Sequence, residues 1–98
     1  MLSFPGIKII HFFPGRVRLK VEKIKNNEAF AKKVEIELSK VLCITEVEIS
    51  MLTGSVLVKY DKYAIKDGKN SDHLLATLKK LFPDLDTEKL RPYLAEYV

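Results

Sequence analysis

Three cations at alternate positions, Arg16, Arg18 and Lys20, follow a Pro14-Gly15 turn in the stretch HFFPGRVRLKV. Successive side chains of a strand point to opposite faces, so these three share one face while Val17, Leu19 and Val21 share the other. The aliphatic face must be buried and the cationic face presented away from it. Guanidinium groups bind carboxylates and phosphates in a bidentate fashion, so the chemistry offered by this pattern is anion recognition.

A second set of reactive groups is His11, Cys43 and His73, the conventional soft or borderline metal ligands of the chain. They lie far apart in sequence. His11 reads as part of a strand, His73 as part of the first turn of a helix, and Cys43 as a small buried residue at a helix-to-strand junction. No pair of acids stands at a spacing that demands a hard cation, and Asp61 and Asp67 read as turn formers. The expectation is no catalytic residue, no cofactor and no metal site. Weak binding of a divalent ion through carboxylates and histidine is the alternative.

The 98 residues, 47% of them hydrophobic, suffice for a single core, and the chain reads as one domain over 1–98 with its core at about 7–82 and an extension over 84–98. Seventeen Lys and Arg against thirteen Asp and Glu give a net charge of +4, which permits an anionic partner without demanding one. One cysteine excludes an internal disulfide and any Cys-x-x-Cys site. No apolar run approaches the roughly 18 residues of a membrane span, and the first residues lack the pattern of a signal peptide. The expectation is a cytoplasmic protein, with membrane association only through a partner.

The elements that must position the cations follow from periodicity and punctuation. Phe4-Pro5-Gly6 and Phe13-Pro14-Gly15 each read as a turn before an extended segment, IKIIHFF and then RVRLKVE. If Pro14-Gly15 reverses the chain, residues 7–13 pair antiparallel with 16–22, with a bulge or bend as the competing outcome. Asn26 or Asn27 can cap a helix in which Phe30, Val34, Leu38, Val41 and Leu42 form an apolar stripe over about four turns. ITEVEISM alternates as a strand with Glu46, Glu48 and Ser50 on one face; Leu52-Thr53-Gly54 turns into SVLVKY, where Val56, Val58 and Tyr60 share a face. Asn70, Ser71 or Asp72 can cap a second helix with the stripe Leu74, Leu75, Leu78, Leu81 and Phe82. In the tail, Leu90, Tyr93, Leu94 and Tyr97 predict a short helix that tolerates Pro92 best near its start.

Without the first strand, this order is β-α-β-β-α, the α+β ferredoxin-like sandwich lacking its last strand. The N-terminal strand would take the place of that last strand, because otherwise IKIIHFF has nowhere to bury itself. The cations then neighbour Ser55, Leu57 and Lys59, with Glu46 and Glu48 one strand further out, about 10 Å away at the ~4.8 Å strand spacing. Lys59 therefore joins Arg16, Arg18 and Lys20 as a candidate anion-binding residue.

Pro14-Gly15-Arg16-Val17-Arg18, the spacing through the first helix, and Thr53-Gly54-Ser55-Val56-Leu57-Val58 followed by Tyr60-Asp61 carry a family resemblance. From His11 to about Phe82 the chain resembles a heavy-metal-associated domain of the divergent type without the metal-binding cysteines. The resemblance implies a setting in bacterial metal homeostasis: such domains occur at the N-termini of P-type metal ATPases and as small separate proteins, including ferrosome systems that store iron. Metallochaperones of this fold carry Met-x-Cys-x-x-Cys between the first strand and first helix. Here the matching positions, Glu22 to Glu28, read EKIKNNE and contain no sulfur.

The functional expectation is a non-catalytic binding module of a metal system, with iron the implied metal, that docks an anionic protein or membrane surface. A P-type ATPase, an anionic membrane or a second copy of the chain are the implied partners. Nucleic acid is not expected, because the predicted open face of the two central strands offers no aromatic side chain to stack bases. An acylphosphatase-like enzyme would need a glycine-rich anion loop after the first strand and an asparagine on a later one; neither is present.

Overall fold

The computed structural model describes residues 3–4 and 6–96 of the chain. Strands β1 (Ser3–Phe4), β2 (Ile7–Phe13) and β3 (Arg16–Val21) are followed by α1 (Glu28–Ser39), β4 (Ile44–Ser50), β5 (Ser55–Tyr60), α2 (Gly68–Leu81) and α3 (Thr87–Glu96). All pairs in the sheet are antiparallel, in the order β1-β2-β3-β5-β4. The run β3-α1-β4-β5-α2 is the ferredoxin-like core, and β2 lies beside β3 in the place of the missing last strand, as expected. The two-residue β1 was not anticipated; it adds a short outer rung on Ile7 and Lys8. Gly6 takes a φ of 76° in the turn between them, while Pro5 lies outside the described residues.

Pro14 and Gly15 make a two-residue hairpin loop, with Phe13 opposite Arg16 and Gly15 at φ 92°. The competing bulge forms as well, further along, where the register shifts between Ile9 and His11. Its cause is legible. Continued without a shift from Phe13–Arg16, the pairing would set Lys8 against Val21 on the core face. The extra residue, Ile10, moves the register by one, so that Ile7 and Ile9 oppose Val21 and Leu19 while Lys8 opposes Lys20. One bulge thus keeps a lysine out of the core.

The helices cover the face that carries the aliphatics. Val21, Ile24, Val34, Val41, Val56 and Cys43 are almost entirely enclosed, and Leu38, Val58, Tyr60, Leu74 and Leu81 complete the cluster. Each fully buried aliphatic side chain contributes about 1.5–3 kcal/mol relative to exposure. Asn27 caps α1, its side chain accepting from Phe30 N at 3.1 Å. Phe30 and Phe82 meet edge to face at 5.7 Å and join the start of α1 to the end of α2.

Three boundaries differ from expectation. α1 ends at Ser39 after about three turns, so Leu42 falls off the stripe and is 86% exposed, whereas Val41 is fully buried. α2 begins earlier than expected, because Asp67 accepts from Lys69 N at 2.9 Å and caps it; the Asn70 side chain instead donates to Ala64 O. Pro92 sits inside α3 rather than near its start. Of the residues expected to line that helix, Tyr97 lies outside the described residues, as do the side chains of Tyr93 and Leu94.

Candidate functional site

Strand pairing fixes the open face of the sheet in three rows. Phe13, Arg16, Lys59 and Glu46 form the first; His11, Arg18, Leu57 and Glu48 the second; Lys8, Lys20, Ser55 and Ser50 the third. Five cations therefore share this face with two carboxylates, and both carboxylates stand on β4 at the far edge. Like charges directly opposite one another, as in Lys8–Lys20 and Arg16–Lys59, are unfavourable in a sheet.

Neutralisation is uneven. Lys59 Nζ lies 2.8 Å from Glu46 Oε2, so this candidate cation already has a partner. Arg16, Arg18, Lys20 and Lys8 are exposed and take part in none of the ion pairs found among the described residues. Among the described residues, no acid of the C-terminal extension pairs with them. Asp72 and Glu88 hold Arg91, Asp86 caps Glu88 N, and α3 packs against α2 on the helical side. Leu57 is buried although it lies on the open face, flanked by Arg18 and Glu48, whose long stems can shield it.

Lys8 was not among the residues singled out from sequence. Its signal was present: a lysine in the second place of an apolar, turn-flanked segment must leave the core side of the hairpin, and a bulge is how a strand achieves that. The two-residue loop, ahead of the bulge, sets Phe13 opposite Arg16 and His11 opposite Arg18, and the Phe13 and His11 rings meet edge to face at 4.9 Å. The aromatic side chains of the open face thus stand on β2, with none on the central strands β3 and β5.

The positions corresponding to the metal loop of metallochaperones behave as a structural clamp. Glu22–Ile24 form one turn of 3₁₀ helix whose Ile24 is fully buried, and Asn26 adopts a φ of 56°. The β4–β5 hairpin closes over the segment: Val21 N donates to Gly54 O at 2.7 Å and Asn26 N to Met51 O at 3.1 Å. With no thiolate or imidazole, and with an isoleucine pointing into the core, this segment does not fit a soft metal ion.

His11 lies exposed on β2, His73 exposed in the second turn of α2, and Cys43 buried between α1 and β4. No group of three or more His, Cys, Asp or Glu comes together among the described residues. Burial pushes the Cys43 thiol pKa up, which leaves it neutral and enclosed. Asp61 accepts from Tyr63 N at 2.9 Å and Ala64 N at 3.0 Å and so serves as a turn former. A cavity of about 260 Å³, lined by residues including Ile7, Val21, Phe82 and Leu85, lies away from the cationic rows. No helix among the described residues is long and apolar enough to cross a membrane.

Comparison with known proteins agrees with this architecture. The family model for heavy metal associated domain 2 matches residues 1–82 and so includes β1 and β2, beyond the stretch from His11 on which the resemblance rested. No curated protein and no solved structure is significantly similar to the chain.

Proposed function

The chain belongs to the heavy metal associated domain 2 family, and from that premise we propose that it is a non-catalytic accessory module of a metal transport or storage system, acting by docking an anionic surface. Membership supports the metal-associated setting. The metal of this proposal is iron, and its partner a P-type metal ATPase.

The observation that carries the docking role is the row structure of the open face. Lys8, Arg16, Arg18 and Lys20 stand together with like charges opposed, and the two acids of the paired rows lie on β4 at the far edge, one of them already taken by Lys59. A fold gains nothing from such a cluster, since opposed like charges weaken cross-strand pairing. An incoming carboxylate or phosphate surface would relieve that repulsion and could engage both guanidinium groups through paired hydrogen bonds. Direct binding of a divalent ion through carboxylates and histidine lacks a comparable observation, because no group of three or more His, Cys, Asp or Glu comes together among the described residues.

The test is binding of fluorescent poly-L-aspartate to the wild type and to Arg16→Glu/Arg18→Glu. The wild type should bind, weaken between about 50 and 500 mM NaCl as the Debye length shrinks, and lose its binding in the variant. Equal binding by both proteins would place the anion elsewhere.

A further inference from the structure

We propose that the partner engages this face as an extended, acidic strand of another protein, added to the open edge of β2. The inference rests on the docking reading above and specifies its occupant. β1 covers β2 only at Ile7 and Lys8, so from Ile9 to Phe13 no described strand pairs with the outer edge. Apart from His11, that edge is apolar: Ile10, Phe12 and Phe13 are 47%, 38% and 57% exposed. A proline, a charged guard or a covering segment would usually blunt such an edge. Here the bulge at Ile10 is the protection among the described residues, and it leaves His11–Phe13 in regular register.

Charge complementarity decides what fits. A strand laid along β2 would have Phe13 and His11 beside it on the open face and Arg16 and Arg18 one strand beyond, about 10 Å from its own backbone at the ~4.8 Å strand spacing. Arginine and glutamate side chains together span that distance. Alternate acidic residues of the incoming strand would therefore reach the guanidinium groups, its intervening apolar residues would cover Phe12, and its backbone would complete the hydrogen bonding of the edge. A second copy fits worse, because it would bring a second set of Lys8, Arg16, Arg18 and Lys20 onto the same sheet. A lipid surface fits worse as well, since it offers no row of backbone donors and acceptors to an edge being buried with Phe12 and Phe13.

The test uses the intact chain and three probes: the peptide Glu-Val-Glu-Val-Glu-Val-Glu, the same peptide with alternate backbone nitrogens methylated, and poly-L-aspartate. The proposal predicts that methylation weakens binding at least ~10-fold, the equivalent of losing one to a few net backbone hydrogen bonds. It also predicts that bound peptide slows amide exchange within residues 9–13. Equal binding of both peptides, with loss in Arg16→Glu/Arg18→Glu, would overturn strand addition while leaving anion docking intact. Absence of binding to all three probes would defeat the docking reading itself. Sedimentation equilibrium showing a dimer abolished by Phe12→Glu, or binding to phosphatidylglycerol vesicles that the peptide cannot compete, would overturn the proposal in favour of a second copy or a membrane.

Discussion

Lys59 and Arg16 are direct neighbours across β3 and β5, yet only Lys59 has a carboxylate, Glu46, 2.8 Å away on β4. The acid supply of the sheet therefore stops one strand short of the arginines. Replacing Glu46 with Gln should release Lys59 and extend the cationic face. Both members of the pair are nearly half exposed, so stability should change by no more than about 0.2–1 kcal/mol. Affinity for poly-L-aspartate should rise and become more salt-dependent; a large fall in melting temperature with unchanged affinity would contradict this reading.

Gly54 ties the β4–β5 hairpin to the segment after β3. It adopts a φ of 73°, and a Cβ there would lie 2.9 Å from Val21 O, whereas Gly6, at φ 76°, has open space around it. Both Gly→Ala changes carry the backbone cost of a positive φ, but Gly54→Ala adds a clash against main chain. It should destabilise by more than about 1 kcal/mol beyond Gly6→Ala. Urea denaturation of the two variants measures the difference, and equal midpoints would show that the hairpin can shift freely.

Cys43 is 1% exposed and its thiol pKa is raised by burial. It should react with a thiol reagent at pH 8 at least ~100-fold more slowly in the native protein than in denaturant, because the reactive thiolate forms only on opening. Rapid modification of the folded chain would mean that the junction between α1 and β4 opens.

The Asp61 carboxylate accepts the Ala64 and Tyr63 amides, and these bonds lower its pKa. A carboxyl with a depressed folded-state pKa stabilises fully at neutral pH and loses that contribution as pH falls through the folded value. The advantage of the wild type over Asp61→Asn in melting temperature should therefore be present at pH 7 and shrink below the usual carboxylate range. A constant difference across that range would assign the effect to something other than ionisation.

Much of the architecture could be read from the sequence because apolar spacing and burial agree in it. IKIIHFF had to pair with RVRLKV, and that requirement alone placed β2 in the vacant position of the sheet. The alternation of Arg16, Arg18 and Lys20 against Val17, Leu19 and Val21 likewise fixed which side would stay open. Periodicity could not locate α1's end, because Val41 and Leu42 both continue the stripe and only the turn after Ser39 decides that one is buried and the other exposed. Nor could it show that Lys59 would be matched by Glu46, since that depends on cross-strand register between β4 and β5. Lys8 was missed for a related reason: its place beside Lys20 exists only because the bulge shifts the strand by one residue.

The central claim, that the β2–β3 face docks anions, is tested most directly by mapping amide chemical shifts of the ¹⁵N-labelled protein during titration with poly-L-aspartate. The account predicts that the changes concentrate at Lys8, His11, Phe13, Arg16, Arg18 and Lys20 and vanish in Arg16→Glu/Arg18→Glu, whose fold should be retained because surface changes usually stay within about 0.5 kcal/mol. Changes centred instead on the exposed helical lysines Lys32, Lys33, Lys79 and Lys80, and persisting in the variant, would contradict it.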